Sequence, residues 1–169
     1  MKKGIFIGSF DPWHNGHKDR LINALKIFDH VVIVIANNYD KKTWFSQEER
    51  KEIIIDSLEN LTEHIEIIIG GNKMIHEIIH ELQIFNVFRG VKASRTIDDE
   101  IRLQNFCRHL LKDEYGEDAF FVYDITSDSD FRGSSLIKEL CLNNQNIEKY
   151  VSSNVVEKIK ARAIEIKNK

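Results

Sequence analysis

The chain has 169 residues, of which 42% are hydrophobic and 30% are charged, and its formal net charge is -3. This length suits one domain, and the slight acidic excess argues against a general nucleic-acid-binding protein, which normally carries a basic surplus. No apolar run reaches the ~18 residues of a membrane-spanning helix, and the start, Met1-Lys2-Lys3, lacks the apolar stretch of a signal peptide. We therefore expect one cytoplasmic domain over residues 1–169 that binds neither nucleic acid nor membrane.

Short runs of β-branched and aromatic residues alternate with segments of helical spacing along the chain. Runs that are apolar at most successive positions are typical of strands buried on both faces of a parallel sheet. These runs predict five strands, at residues 4–7, 31–36, 65–69, 85–88 and 119–123.

The segments between the predicted strands have apolar residues at the spacing of a helix with one buried face. Ser46 followed by Glu49 has the sequence of a capping box, which predicts the start of the second helix. Two further helices are predicted after the fifth strand, from Ser135 and near the end of the chain. Cys107 and Cys141 lie among apolar helical residues without metal-ligand spacing, so we predict two reduced, buried thiols.

The order of these elements, β-α-β-α-β-α-β-α-β followed by helices, predicts the fold class. Right-handed crossovers then give a single-domain α/β fold, a Rossmann-like five-stranded parallel sheet with helices on both faces and C-terminal helices. In such sheets ligands bind beyond the carboxyl ends of the strands. We therefore expect the functional residues in the loops at residues 8–17, 37–43, 70–73, 89–95 and 125–135.

The first of these loops reads Gly8-Ser9-Phe10-Asp11-Pro12-Trp13-His14-Asn15-Gly16-His17. A glycine after the strand lets backbone and ligand approach closely, and Ser9 offers a hydroxyl to phosphate oxygens. His14 and His17 are three residues apart at the start of a helix, so both point to the helix N-terminus, which favours an anion. The alternative is a capping or surface role for the histidines. A zinc site is disfavoured, because glutamate and cysteine partners at ligand spacing are missing nearby.

The pattern G-[ST]-F-D-P followed by H-x-G-H resembles the signature of the nucleotidylyltransferase superfamily of α/β phosphodiesterases. The resemblance implies that His14 and His17 contact the triphosphate of a nucleotide. It also implies that His17 stabilises the transition state at the α-phosphorus.

Three later segments are similar to bacterial phosphopantetheine adenylyltransferases. The segment from Lys41 to Arg50 resembles the family's K-K-x-x-F-x-x-x-E-R, and Phe88-Arg89-Gly90-Val91-Lys92-Ala93 resembles its I-R-G-L-R-A. The segment Phe131-Arg132-Gly133-Ser134-Ser135 resembles its F-I-S-S-[ST]. The resemblance covers nearly the whole chain in matching order and spacing. This chain departs from the family pattern at Lys92, Thr96, Asp99 and Arg132-Gly133.

The resemblance implies a role for each matching residue. The catalytic residues would be His17, His14, Lys41 and Arg89. The residues that bind the acceptor would be Ser9, Lys41, Ile75 and Arg89, with Lys41 and Arg89 on its phosphate. The residues that bind ATP would be Ser9, Phe10, His17, Gly90, Val91, Lys92, Glu100, Ser129, Ser134 and Ser135.

The implied reaction converts ATP and 4'-phosphopantetheine into dephospho-coenzyme A and pyrophosphate, the penultimate step of coenzyme A biosynthesis. Mg²⁺ would accompany ATP with few direct protein ligands. The family also implies a homohexamer, with coenzyme A as a feedback ligand. Two alternatives stay open: a sister nucleotidylyltransferase for nicotinate mononucleotide or a small alcohol phosphate, and a non-catalytic nucleotide-binding or assembly module. Lys41 and the Arg89-Gly90-Val91-Lys92 segment favour the pantetheine enzyme, and the presence of both histidines argues against the module.

Overall fold

A computed structural model describes residues 1–37, 42–58, 63–92, 97–126 and 132–168, with the side chain of Lys92 excepted. The five strands within these ranges pair side by side in one parallel sheet. They are β1 (Lys3–Gly8), β2 (His30–Ala36), β3 (Ile65–Gly71), β4 (Asn86–Lys92) and β5 (Phe120–Thr126). Their spatial order, β3-β2-β1-β4-β5, confirms the predicted Rossmann-like sheet.

Helices follow each strand, as the alternating pattern predicted. In chain order they are α1 (Asn15–Leu25), α2 (Gln47–Ser57), α3 (Ile75–Leu82), α4 (Ile97–Tyr115), α5 (Ser134–Leu142) and α6 (Val156–Lys167). A short 3-10 turn at Ser153–Val155 leads into α6. The capping box predicted for the second helix is confirmed: the Glu49 backbone N–H donates to Ser46 Oγ at 3.1 Å, and the Ser46 backbone N–H donates to Glu49 Oε2 at 2.8 Å.

The two faces of the sheet carry separate hydrophobic clusters, because successive residues of a strand point to opposite faces. Ile5 and Ile7 of β1 pack with residues of α3 and α4, among them Cys107. Phe6 lies in the other cluster, with residues of α1, α2, α5 and α6. Burial on both faces explains why β1 and β2 read as continuous apolar runs, whereas the edge strands β3 and β5 are only partly buried. Cys107 and Cys141 are both buried free thiols, as predicted.

The chain changes its direction of progress across the sheet between β1 and β4, which is the switch point of this strand order. The backbone pairing of β1 with β4 covers Ile5↔Val87 and Phe6↔Phe88, and it ends before β1 itself does at Gly8. A crevice for a ligand is therefore expected at this edge.

The last two strands are longer than predicted, and this corrects the location of one motif. Arg89-Gly90-Val91-Lys92 was predicted to be a loop, but these residues lie within β4 and pair with residues 123–126 of β5. Arginine, glycine and lysine disfavour a strand prediction, yet the ladder to β5 gives their backbones partners. Among the described residues, no helix has both the length and the apolar character needed to cross a bilayer.

Candidate active site

A large cavity opens at the carboxyl edge of the sheet, across the ends of β1 and β4. Its volume is about 930 Å³, which is within the range of small-molecule sites. The predicted site residues that line it are Ser9, Phe10, His14, His17, Ile75, Arg89, Gly90, Ser134 and Ser135.

The remaining predicted site residues fall into two groups. Val91 is buried and is not among the described lining residues, and Glu100 is buried beside Arg89 rather than in the cavity wall. Lys41, Ser129 and the side chain of Lys92 lie outside the described residues. Their predicted roles stay predictions.

The loop after β1 is anchored by Asp11, whose side chain is buried. The Asp11 carboxylate accepts hydrogen bonds from the backbone N–H groups of Trp44 (2.9 Å) and Phe45 (3.0 Å), and it forms an ion pair with Lys138. These contacts join the loop to the segment before α2 and to α5. Asp11 is therefore satisfied within the protein and serves to hold the loop.

Gly8 lines the cavity and also makes room for a neighbouring ring. A Cβ atom at Gly8 would lie 2.9 Å from the Phe10 ring. Phe10 adopts a left-handed backbone conformation with φ 50°, which is uncommon for a bulky residue. This conformation folds the Phe10 ring back under the strand end, where its edge meets the ring of His17 at a centroid distance of 5.0 Å.

Neighbouring rings pack against the His17 imidazole, and a backbone hydrogen bond shows which of its two ring nitrogens is unprotonated. Nδ1 accepts a hydrogen bond from the backbone N–H of His14 at 3.3 Å, which requires an unprotonated Nδ1. The neutral ring then carries its proton on Nε2. The imidazole also stacks on that of His14, with centroids 3.7 Å apart. His17 therefore presents a positioned Nε2–H donor, and Gly16 leaves space for the His14 ring, which a Cβ would approach to 2.8 Å.

The N-termini of α1 and α5 both face the cavity. His14 is the N-cap of α1 and Gly133 is the N-cap of α5. The Ser134 hydroxyl donates to the carbonyl of Pro12 at 2.9 Å, which fixes the two helix ends relative to each other, while Ser135 is exposed. Two positive helix ends at one cavity make a suitable site for an anion.

Arg89 enters the cavity wall from β4 with its guanidinium held on two sides. Nε and Nη2 donate to the two carboxylate oxygens of Glu100, at 3.0 and 3.1 Å, and Nη1 donates to the carbonyl of Ile7 at 3.3 Å. Both side chains of this ion pair are largely buried. The arrangement holds a positive charge at the point where β1 and β4 separate.

The side of the cavity near α3 and α4 carries an apolar wall. It is formed by Met74, Ile75, Leu103, Phe106 and Cys107, with the polar Asn72, Lys73 and His76 beside it. Burial raises the pKa of the Cys107 thiol to about 11, so this group is neutral at physiological pH. Such a wall suits an uncharged, extended part of a ligand.

Three arginines that were not among the predicted site residues shape the site. Arg20 follows His17 by three positions, so it lies on the same side of α1, and it donates to Thr126 Oγ1 at 2.8 Å. A Cβ at Gly90 would lie 1.7 Å from Arg20 Nη1, so that glycine makes room for the guanidinium. Arg132 lines the cavity and pairs with Asp19 of α1.

The third arginine, Arg50 of α2, connects three segments from a fully buried position. Its guanidinium donates to the carbonyls of Ser9 (2.8 Å), Ala36 (3.3 Å) and Ser46 (3.2 Å). Burial lowers the pKa of Arg50, and the nearby Asp11 and Glu48 carboxylates oppose that shift. The only sequence signal for Arg50 is its place at the end of the Lys41–Arg50 motif, since a lone arginine in a helix does not reveal which carbonyls it contacts.

The open parallel sheet, with an H-x-G-H loop at its switch point, defines an α/β protein of the nucleotidylyltransferase class. The family model for cytidylyltransferase-like proteins matches residues 5–158, and the chain belongs to this family.

Within that family, the chain is similar over nearly its whole length to proteins named phosphopantetheine adenylyltransferase. It is 30% identical to the one from Petrotoga mobilis over 166 residues, covering 97% of this chain and 98% of the relative. It is 30% identical to the one from Haemophilus influenzae, covering 96% of this chain and 100% of the relative. For the one from Wigglesworthia glossinidia brevipalpis, the identity is 29% and the shares are 95% and 92%. The resemblance inferred from the motifs is thereby confirmed.

Two solved structures share the fold at lower identity. A protein described as a nicotinate-nucleotide adenylyltransferase from Vibrio parahaemolyticus superposes with a TM-score of 0.62 at 15% identity, covering 94% of this chain and 99% of that chain. A lipopolysaccharide core biosynthesis protein from Thermoplasma volcanium GSS1 gives a TM-score of 0.54 at 23% identity, covering 73% and 95%. These two similarities support the fold alone.

Proposed function

We propose that this protein is a pantetheine-phosphate adenylyltransferase of coenzyme A biosynthesis. It transfers the adenylyl group of ATP to 4'-phosphopantetheine and releases pyrophosphate, leaving dephospho-coenzyme A. The observation that carries the proposal is that one cavity brings the His17 loop and two helix N-termini together with Arg89 and an apolar wall. The names of the full-length relatives supply the identity of the substrates.

The nucleotide side of the proposed site lies between the N-termini of α1 and α5. The helix dipoles, the exposed Ser135 hydroxyl and the Nε2–H of His17 all favour the negative oxygens of a triphosphate. We assign the β- and γ-phosphates to the α5 end. The α-phosphate is assigned to His17, because this donor is held rigidly by His14 and Phe10.

The acceptor side lies toward Arg89 and the apolar wall. Arginine suits bidentate recognition of a phosphate, and the chain around Ile75 offers contacts for the uncharged arm of phosphopantetheine. Lys41 is proposed as a second cation for the acceptor phosphate, and Lys92 as a contact to the triphosphate. These assignments rest on the family motifs.

The proposed chemistry is a direct in-line displacement. An oxygen of the acceptor phosphate forms a bond to the α-phosphorus while the bond from the α-phosphorus to the bridging oxygen of the β-phosphate breaks. Pyrophosphate leaves with that electron pair, so no covalent enzyme intermediate is needed. The protein acts by holding two mutually repelling anions in line and by stabilising charge at the α-phosphorus through His17.

We propose that Mg²⁺ enters with the nucleotide. Among the described residues that line the cavity, Asp11 is the one carboxylate, and its oxygens already accept three hydrogen bonds. No group of three or more potential ligands is present among the described residues. The donors at the site therefore suit a metal ion carried by phosphate oxygens and water. When bound, it would neutralise triphosphate charge.

Three further properties belong to the proposal because they follow from the family. They are a homohexameric assembly, feedback binding of coenzyme A and a cytoplasmic location. Each needs its own measurement, beginning with the mass of the assembly in solution.

One assay tests the proposed reaction against its alternatives. Purified protein with MgCl2 is given ATP or CTP together with phosphopantetheine, nicotinate mononucleotide or glycerol phosphate, and pyrophosphate release is followed. We expect release with ATP plus phosphopantetheine alone. Release with nicotinate mononucleotide or glycerol phosphate would identify a sister enzyme instead, and no release with any pair would identify a non-catalytic module. A reaction without added Mg²⁺ and with a chelator should be inactive.

A further inference from the structure

Glu100 is the predicted nucleotide-binding residue whose surroundings agree least with that role. It lies in the first turn of α4, is 6% exposed, and is not among the described residues that line the cavity. Both of its carboxylate oxygens accept hydrogen bonds from one guanidinium, that of Arg89, at 3.0 and 3.1 Å. To contact a nucleotide, Glu100 would have to turn away from a buried, bidentate ion pair.

We infer that Glu100 is a positioning residue that aims Arg89 at the acceptor phosphate, an inference that rests on the proposed function. Arginine has five N–H donors. Glu100 takes the Nε–H and one Nη2–H, and the carbonyl of Ile7 takes one Nη1–H. These contacts use three of the five donors, and they leave one N–H on Nη1 and one N–H on Nη2 for a ligand. Two neighbouring N–H groups form the fork that binds a phosphate with two parallel hydrogen bonds.

The position of Glu100 is itself fixed by the fold. The Tyr123 hydroxyl of β5 lies within hydrogen-bonding distance of the Glu100 carbonyl (3.3 Å) and of Gln104 Oε1 (2.9 Å), so the first turn of α4 is attached to the sheet. Arg89 is paired with Tyr123 in the β4–β5 ladder. The orientation of the guanidinium is therefore set jointly by α4, β5 and the end of β1.

Two substitutions separate positioning from a simple charge effect. Glu100→Gln removes the negative charge and disrupts the bidentate contact, whereas Glu100→Asp keeps the charge but shortens the side chain by one methylene. If Glu100 positions Arg89, both variants raise KM for phosphopantetheine by about 10-fold and leave KM for ATP within about 2-fold of wild type. If Glu100 acted by charge alone, Glu100→Gln would lower KM for the acceptor phosphate, and Glu100→Asp would match wild type.

The experiment uses the full chain and a double-mutant comparison. Initial rates are measured for wild type, Glu100→Gln, Glu100→Asp, Arg89→Lys and the double variant Arg89→Lys/Glu100→Gln. The matched control is Glu52→Gln, which removes a carboxylate from a surface pair with Lys158. Because Glu100 acts through Arg89, adding Glu100→Gln to Arg89→Lys should change KM for the acceptor by less than about 2-fold. A rise in KM for ATP, or additive effects of the two substitutions, would overturn the inference.

A second readout does not depend on the reaction. The Nε–H NMR signal of Arg89 should be resolved and slow to exchange in wild type, and it should be lost or exchange at least 10-fold faster in Glu100→Gln, with melting curves confirming that the variant is folded. An unchanged Arg89 signal would contradict the positioning role even if the wild-type enzyme proved inactive. Absence of dephospho-coenzyme A formation by wild type would instead contradict the proposed function.

Discussion

At the scale of single residues, His17 illustrates how neighbours turn an ordinary side chain into a directed donor. Its Nδ1 is occupied by the backbone N–H of His14, and its ring is held between His14 and Phe10. In the proposed reaction, the imidazole therefore would not have to reorganise when charge develops at the α-phosphorus. Preorganised donors of this kind account for a large share of the rate acceleration by enzymes that stabilise anionic transition states.

Replacing His17 with alanine should slow the reaction much more than it weakens binding. We expect kcat for dephospho-coenzyme A formation to fall by ~10²-fold or more, or ~3 kcal/mol of barrier, because one charge-assisted contact is lost in the transition state. His64→Ala, which removes an exposed imidazole outside the cavity, is the control and should match wild type. Wild-type turnover by His17→Ala would show that His17 is not catalytic.

The Cys107 thiol gives the protein a predictable response to alkaline pH. Burial raises its pKa from 9.0 to about 11, because the folded protein disfavours the thiolate. The folded state therefore holds this proton more tightly than the unfolded state, and the resulting stabilisation is complete below pH 9 and lost as the pH rises toward 11.

Cys107→Ala should remove the part of the unfolding free energy that wild type loses as the pH rises above 9. At neutral pH the variant is less stable than wild type, since a buried sulfur has been deleted. Above pH 9, where the wild-type thiol begins to lose its advantage, the difference in unfolding free energy should narrow. Urea denaturation at several pH values measures both proteins, and parallel curves across the range would contradict the assignment. Cys141 is present in both proteins, so its own raised pKa cancels in the comparison.

At the scale of elements, the loops around the cavity are held by a few buried polar side chains. Asp11 joins the β1 loop to the segment before α2 and to α5, and Ser134 joins α5 to the same loop. Arg50 adds contacts from α2 to Ser9 and to the end of β2. Backbone groups that would otherwise be buried without partners are satisfied in this way. The segments that carry the site are therefore joined to one another by hydrogen bonds.

Arg50→Lys tests how much the hydrogen bonds that Arg50 makes to these segments contribute to the stability of the fold. A lysine ammonium is a compact point charge and cannot reproduce the planar set of contacts, so buried carbonyls would lose their donors. We expect the unfolding free energy to fall by about 2–3 kcal/mol, measured by urea denaturation. Arg108→Lys, at an exposed pair with Asp118, is the matched control and should cost much less than Arg50→Lys. Equal effects at the two positions would contradict the role given to Arg50.

At the scale of the whole molecule, the helices differ in how close they lie to the candidate site. Both faces carry helices, but among the described residues the cavity lining includes none from α6. Val156, Ile159 and Ala163 of α6 are buried in the cluster that also contains Ile53 of α2 and Ile137 of α5. This helix therefore supports the fold through packing and through ion pairs with α2.

Ile159→Ala should separate stability from catalysis. Ile159 is fully buried, so truncation leaves a cavity and is expected to cost about 3 kcal/mol of unfolding free energy. At temperatures where the variant stays folded, kcat and both KM values should match wild type. Ile164→Ala on the exposed side of the same helix should cost less than about 1 kcal/mol. A large fall in kcat for Ile159→Ala would show that α6 influences the site directly.

Much of the fold was predictable because the relevant physics is local in sequence. The five apolar runs were visible because the inner strands are buried on both faces and the edge strands β3 and β5 are partly buried. The Ser46–Glu49 capping box also marked a helix start correctly. The ends of β4 and β5 were missed, because the polar residues of Arg89-Gly90-Val91-Lys92 form a strand only through pairing with β5. A ladder to a distant segment leaves no signal in the local pattern.

The sequence by itself determined the fold class and the family, and it located several of the residues that line the cavity. Loop glycines, paired histidines and a serine pair after a strand are short motifs whose chemistry depends on residue type and spacing. The tertiary structure decided what those residues contact. Arg89 donates hydrogen bonds to Glu100, and Arg50 donates to carbonyls of three segments. Gly8 leaves space for the Phe10 ring, and Gly90 leaves space for the Arg20 guanidinium. These contacts join positions far apart in the chain, and their geometry exists only once the sheet has formed.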